Sequence, residues 1–252
     1  PYLSIAAAMA AGIASGFITA ILQTKMGINS LLAGIIVNTG LYSINIAVMS
    51  GSSILNMNKT DTVFTKMAAL VKGTPVARQS KLFVAIIAVA AVAVILGLFL
   101  KTRLGLAIRA TGDNPDMVRS SSVNPAFTTI IGLCVANSFT ALSGCLLAQS
   151  QRSVNIDIGT GMVTIALASL LIGGVFLGRK KMPLRIFGMV LGAFIFRLIY
   201  TIALRFDMPA FMLKFVSSVI VIAAIATPYF KKQLPLLKRR IQTRSGRRKA
   251  DA

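Results

Sequence analysis

Charge vanishes from this sequence for long stretches. Leu82–Leu100 contains no charged residue, and neither does Ser120–Gln151. About 20 apolar residues cross the hydrocarbon core of a bilayer as a helix, so both stretches are long enough to span one. Inside lipid every backbone polar group must be satisfied by the structure itself, which leaves helices or a closed barrel. A barrel strand alternates apolar and polar residues, and VAIIAVAAVAVILGLFL (84–100) does not alternate. Charged residues make up only 13% of the chain and hydrophobic ones 56%, with mean hydropathy +0.79; a soluble domain would carry about a quarter charged residues. The expected fold is all-α, a polytopic transmembrane helical bundle over residues 1–230 with a basic tail at 231–252.

Seven spans are expected, at roughly 3–22, 31–49, 82–100, 126–148, 161–178, 184–204 and 213–230. Lys and Arg divide unequally between alternate connections. The side holding residues 101–125 and the tail has 18, and the side holding residues 51–80 has 8. Cytoplasmic connections carry the basic excess, so the 101–125 segment and the C-terminus are expected inside and the 51–80 connection outside. The N-terminus then lies outside and starts with Pro1. An odd span count with such a start suggests a preceding helix, giving eight spans in the whole protein. A cleaved signal peptide is the other reading, although Pro1 is a poor residue just after a cleavage site.

The net charge of +21 could suit nucleic acid, but the basic residues sit at the ends of the apolar runs, and no nucleic-acid partner is expected. The tail KKQLPLLKRRIQTRSGRRKADA has no aromatic residue to stack on bases; it is expected to fix orientation and bind anionic lipid headgroups. The chain has no histidine, glutamate or tryptophan. That removes most metal and acid–base constellations, so no metal site and no catalytic residue is expected. Cys134 and Cys145 fall in one apolar segment, about three helical turns apart, and read as small core residues without a disulfide framework. GGVFLGRK (173–180) looks superficially like the phosphate-binding loop GxxxxGK[ST], but Arg179 replaces the lysine and Lys180 the hydroxyl residue. It also lies at a membrane boundary with no strand before it. Gly173, Gly174 and Gly178 therefore read as positions for close packing or a bend.

Gly12 and Gly16 in the first span, and Gly188 and Gly192 in the sixth, have the spacing that lets helices approach closely in lipid. Asn38, Tyr42 and Asn45 share one face of the second span. Polar groups facing hydrocarbon are costly, so this face is expected to point into the bundle, either bonding to other helices or lining a solute path. Asn137, with Ser138 and Thr140, poses the same choice in the fourth span. Arg197 is the one formal charge expected inside a span, towards its outer side. It either snorkels to the outer interface or faces the path, holding a substrate carboxylate or closing an outer gate with Asp207 or Asp157. In the outer connection, Thr62–Gly73 patterns as a short amphipathic helix closed by Gly73. It would lie on the membrane surface or receive a soluble partner.

One charged island interrupts the apolar chain. Gly105–Asn124, GLAIRATGDNPDMVRSSSVN, carries Arg109, Asp113, Asp116 and Arg119, and so two of the six acidic residues. It reads as a turn followed by a short helix at about 113–122. Gly112 would allow a tight bend, Asp113 or Asn114 would cap the helix, and Pro115 suits its first turn. Asp116 sits near the positive end of the helix dipole and Arg119 near the negative end. A short, capped, polar helix between two spans gives another protein something to grip.

The island resembles the cytoplasmic segment of inner-membrane permeases of the branched-chain amino acid and ribose ABC importer family. There a Gly-x-x-x-Arg-Ala-x-Gly-x-Asn pattern leads into the coupling helix; here it is Gly105, Arg109, Ala110, Gly112 and Asn114. LLAGIIVNTGLYSINIAVM (31–49) and GAFIFRLIYTIALRFDMPAFMLKFVSSVIVIAAI (192–225) are similar to other segments of a subgroup linked to amino acid uptake, including tryptophan- or tyrosine-type systems. The resemblance covers about residues 3–230. It implies a permease subunit of the bacterial inner membrane that moves a small solute, an amino acid by the subgroup, into the cytoplasm. Two permease subunits, a homodimer by this reading, would form the pathway. Cytoplasmic ATPase subunits would bind and hydrolyse ATP, and an extracytoplasmic solute-binding protein would deliver the solute. Contact with the ATPase would fall on Arg109, Gly112, Asp113, Asn114, Pro115, Asp116, Met117, Val118 and Arg119. The chain itself would bind no cofactor and would not be an enzyme. Asn38 and the Ser120–Ser122 run depart from the family's usual pattern.

Two other classes fit less well. An ion-gradient-driven secondary transporter usually keeps carboxylates or histidines inside the membrane, and no expected span contains Asp or Glu. A membrane enzyme would need nucleophile–base pairs that a chain without His or Glu largely lacks.

Overall fold

The structure is a computed structural model that describes residues 1–58, 60–70, 80–159, 162–177 and 182–205, and also 212, 215, 218, 219, 222 and 226. In chain order it contains α1 (Tyr2–Thr24), α2 (Ser30–Val48), β1 (Ile54–Asn56), α3 (Val63–Leu70), α4 (Ser80–Phe99), α5 (Arg103–Asp113), α6 (Pro115–Ser120), α7 (Pro125–Gln151), β2 (Ser153–Asn155), α8 (Met162–Leu177) and α9 (Met182–Arg205). The chain divides into two compact units, Pro1–Asp157 and Ile158–Ala252.

Five described helices are long and apolar enough to cross a membrane: α1, α2, α7, α9 and, within α4, Lys81–Phe99. They coincide with five of the seven expected spans. Only 6–22% of the most apolar window of each is buried, and Leu82, Phe83, Ile86 and Ile87 of α4 are at least half exposed. A soluble core would bury such residues; a lipid-facing helix displays them. α8 is described over 16 residues within the fifth expected span, and residues 160–161 and 178–181 on either side of it lie outside the described residues. The seventh expected span (213–230) is described only at separate positions, and the basic tail lies outside the described residues.

The axis of the first unit is the antiparallel pair α1–α7. Gly12, Gly16, Thr19 and Ala20 are buried on α1, at the spacing of a single helical stripe. A Cβ on Gly12 would stand 2.6 Å from the Asn137 carbonyl oxygen, and one on Gly16 2.6 Å from that of Leu133. Only glycine lets the two backbones meet there, as the small-residue spacing leads one to expect. The hydroxyls near this seam turn back on their own helix: Ser15 Oγ donates to the Gly12 carbonyl at 2.9 Å and Thr19 Oγ1 to that of Ser15 at 2.8 Å. Among the described residues no buried side-chain nitrogen or oxygen lacks a partner, as a bundle in lipid requires.

One end of the α1–α7 pair gathers the elements of the 51–80 connection. β1 pairs antiparallel with β2, Ile54 opposite Asn155. α3 opens on a reciprocal cap, in which the Thr65 N–H donates to Thr62 Oγ1 at 3.1 Å and the Thr62 N–H to Thr65 Oγ1 at 2.8 Å. Gln149, 3% exposed near the end of α7, accepts from the Val63 N–H at 2.9 Å and donates to Ser4 Oγ at 3.1 Å. The amphipathic helix expected at 62–73 is thus present over Val63–Leu70 and is tied to both α1 and α7; Gly73 lies outside the described residues. α5 and α6 sit at the opposite end, against the first turns of α7. Connections that alternate in basic content thus lie at opposite ends of this unit.

In the second unit, α8 and α9 form an antiparallel pair by the same device. A Cβ on Gly173 would run into the Gly188 carbonyl, and one on Gly192 into the Ser169 carbonyl. Phe196, 1% exposed, stacks on Tyr200 with ring centres 6.4 Å apart. Gly173 is therefore a packing glycine, whereas Gly174 has nothing within 4 Å; residues 178–180 of GGVFLGRK lie outside the described residues.

A methyl group on Gly16 and one on Gly34 should act oppositely. Gly16→Ala is expected to cost about 1–3 kcal/mol of stability, because backbone must move to admit it. Gly34→Ala, on α2 with nothing within 4 Å, is expected to be neutral or to stabilise by up to about 1 kcal/mol. Thermal unfolding in mild detergent separates the two, and equal midpoints would contradict the seam.

Candidate functional site

The charged island folds as two helices joined at Asn114. α5 starts beside Thr102, whose Oγ1 accepts from the Gly105 N–H at 3.2 Å, and runs to Asp113. Gly112 lies inside α5, and its φ is not positive. The tight bend expected at Gly112 is therefore absent: the backbone ladder continues past it, with the Asn114 N–H reaching the Ala110 carbonyl at 2.9 Å. The change of direction falls on Asn114, at φ −158° and ψ 103°, extended backbone that any residue adopts.

Asn114, not Asp113, is the cap of α6. Its Oδ1 accepts from the Asp116 N–H at 3.1 Å and the Met117 N–H at 3.2 Å, while Pro115 takes the first-turn position where it has no N–H to lose. Asp116 lies in the first turn and Arg119 in the last, complementing the dipole. The end of α6 closes with the Val123 N–H on the Val118 carbonyl at 3.3 Å and the Ser122 N–H on that of Arg119 at 3.2 Å. Ser122 has φ 62°, the left-handed position that glycine usually fills in this motif. The serine run is the helix stop.

Val118, 4% exposed, is the one buried residue of α6. Asp113, Asn114, Pro115, Asp116, Met117 and Arg119 are exposed, Met117 by 61%, and Arg109 is half-buried. α6 thus hangs from one valine and displays an apolar methionine flanked by both signs of charge. α5 rests on α7 through Thr111 Oγ1, 2.7 Å from Thr128 Oγ1, and through Ile108, whose Cγ2 would stand 3.2 Å from a Cβ on Gly132. Asn124 caps α7, accepting from the Ala126 N–H at 3.0 Å.

The polar positions of the spans are not brought together. Asn38, Tyr42 and Asn45 are all exposed on α2, whose one buried residue is Ala33. Asn137 is half-buried at the α1–α7 seam, and its Nδ2 donates to the Leu133 carbonyl of its own helix at 3.0 Å. Arg197 is exposed on α9, in the other unit; Asp207 and the side chain of Asp157 lie outside the described residues. Sequence reasoning passed over Thr128 and Gln149, both buried: Thr128 joins α7 to α5, and Gln149 joins it to residues 86 and 145 positions away. Their signal is slight: a lone hydroxyl and a lone amide near the two ends of one apolar run. Beside Gln149 lies a cavity of about 70 Å³, lined by Thr62, Thr65, Lys81 and Arg152 among others, well below the ~300 Å³ at which small-molecule pockets begin.

Both ends of α6 yield to single substitutions. Asn114→Ala is expected to cost about 1 kcal/mol and to speed amide hydrogen exchange across residues 116–121 about fivefold. Ser122→Gly, which removes a strained side chain, is expected to slow it. Unchanged exchange in both variants would contradict the capping described.

Residues 1–225 match the family described as branched-chain amino acid transport system / permease component. The chain is 31% identical to the tyrosine transport system permease protein of Clostridioides difficile (strain R20291), over 90% of this chain and 73% of that protein. It is 27% identical to the ribose import permease protein RbsC of Escherichia coli (strain K12), over 77% of this chain and 58% of the relative. It is 24% identical to the autoinducer 2 import system permease protein LsrC of Yersinia enterocolitica, over 88% of this chain and 59% of the relative. The chain thus spans less than two thirds of the length of the ribose and autoinducer 2 permeases. No solved structure matches it. With a family match running from the first helix to residue 225 and long, apolar, exposed helices along it, the chain belongs to the branched-chain amino acid transport system permease components, multi-pass membrane permeases of ABC-type transporters.

Proposed function

We propose that this chain is the membrane-spanning subunit of an ATP-driven ABC importer that carries a small solute, an amino acid, into the cytoplasm. The observation that carries the reading is α6, a six-residue helix capped at both ends, anchored by Val118 and otherwise exposed between two long apolar helices. A separate ATPase subunit grips its rim. Gly112, Asp113, Asn114, Pro115, Asp116, Met117 and Arg119, all exposed, meet the partner, while half-buried Arg109 and buried Val118 support the helix from behind. ATP binds on that partner; GGVFLGRK lacks the lysine and hydroxyl that a phosphate loop uses.

The excess of Lys and Arg on the side of α5, α6 and the tail supports a cytoplasmic position for all three, with the tail on anionic lipid. The Gln149 end then faces outward and receives a solute-binding protein. The amino acid assignment rests on the likeness to the tyrosine permease. A second permease copy completes the pathway. Asn38, Tyr42 and Asn45, exposed on α2, and Arg197, exposed on α9, are the candidates for lining it; Asn137, turned back on its own helix, is the weaker one.

Purification of the tagged full chain from its native host in mild detergent tests the reading. An ATPase subunit is expected to co-purify with the wild type and to fall at least tenfold when Asp113, Asn114 and Arg119 are all changed to alanine. Absence of any ATPase, together with uptake that follows an ion gradient, would replace this reading with a secondary transporter.

A further inference from the structure

A push on α6 moves the membrane helices only if α6 cannot swing on its connections. Those connections are slender. Residues 121–124, which join it to α7, are exposed throughout and include the left-handed Ser122, and Asn114, which joins it to α5, is exposed as well. Val118 is the one side chain that α6 buries. A helix so attached pivots unless α5 is itself fixed to α7.

Two contacts fix α5. Ile108 and Thr111 are three residues apart on α5, and Thr128 and Gly132 are four apart on α7, so each pair lies on one helix face. Ile108 covers Gly132 as an apolar knob, which resists separation but not sliding. The Thr111–Thr128 contact, 2.7 Å between hydroxyl oxygens, is directional and sets the register. Thr128 is 1% exposed, so water does not compete for the bond. The proton count closes. Thr128 can donate to Thr111 while Thr111 donates to the Ala107 carbonyl at 2.8 Å. Alternatively Thr111 donates to Thr128 while Thr128 donates to the Pro125 carbonyl at 2.9 Å. Either way the bridge stands.

We infer that the Thr111–Thr128 hydroxyl pair is a positioning pair for transport, locking α5 and α6 onto the first turns of α7 so that displacement of α6 becomes rigid movement of α7. α7 is 27 residues long, about 40 Å. It is clasped to α1 at Gly12 and Gly16 and to α3 through Gln149, so the movement reaches the opposite end of the unit. This role rests on the reading of α6 as the ATPase contact; the lock itself does not.

Thr128→Val removes the hydroxyl and Thr128→Ser keeps it. The full chain, with Cys134 and Cys145 changed to serine, would carry spin labels at Ser120→Cys and Gln151→Cys in lipid nanodiscs. Pulsed electron resonance is expected to give one narrow distance distribution for the wild-type background and for Thr128→Ser. For Thr128→Val it is expected to be at least twofold broader. A Thr128→Val distribution as narrow as that of Thr128→Ser would overturn the lock, whatever α6 binds. A second arm adds the co-purified ATPase with ATP and vanadate. The distance is expected to hold in the Thr128→Ser protein and to shift in Thr128→Val; a shift in both would overturn rigid transmission. If no ATPase binds even the wild type, the coupling reading fails and the pair's role in transport fails with it, while the first arm still reports on the lock.

Discussion

The architecture of the first unit depends on backbone meeting backbone at Gly12 and Gly16. In lipid the hydrophobic effect does not drive one helix against another, because the tails are as apolar as the side chains. Association then rests on dispersion, which falls away within a fraction of an ångström. The Gly12 and Gly16 faces come close enough to the Asn137 and Leu133 carbonyls that no side chain fits between. Most of that unit attaches to the resulting α1–α7 pair, and α4 packs on α3. α5 and α6 brace against the start of α7, and α3 and the β1–β2 ribbon hold to its end through Gln149 and the strand register.

In the function proposed for this chain, a handle and a lever matter more than a reactive centre. The handle is α6, made rigid by Asn114 at its start and the serine stop at its end. The lever in that proposal is α7, whose mid-helix polar residues turn back on the helix itself: Thr129 Oγ1 donates to the Pro125 carbonyl, Asn137 Nδ2 to that of Leu133 and Thr140 Oγ1 to that of Ala136. Thr128 and Gln149, near its two ends, bond instead to other elements and tie them to α7. The exposed polar faces of α2 and α9 are a different matter, since side chains such as Asn38 and Arg197 are costly against hydrocarbon and call for a packing neighbour or an aqueous path.

What the sequence made legible was local. The spans follow from apolar runs, the close-packed glycines from four-residue spacing, and the α6 cap from an Asn-Pro step beside an acidic first turn. What it concealed was mostly long-range. Gln149 bonds to a residue 86 positions away, and three-residue strands are too short to pattern. Gly112 misled for a different reason. A glycine inside a helix costs about 1 kcal/mol against alanine, and here the Thr102 cap and the packing of Ile108 and Thr111 on α7 outweigh it, so α5 runs on to Asp113. The polar residues of α2 lie on an exposed face within the unit, and their periodicity alone carries no information about what covers that face.

In the proposed topology α6 and the Gln149 end of α7 lie on opposite sides of the membrane, with α6 in the cytoplasm. The most direct measurement is labelling of single cysteines by a membrane-impermeant maleimide, with Cys134 and Cys145 changed to serine. Ser121→Cys reports the α6 end and Ser52→Cys the other; both positions are exposed. Intact cells should label only Ser52→Cys, and inverted membrane vesicles only Ser121→Cys. Labelling of Ser121→Cys in intact cells, or of both sites from one side, would contradict the account.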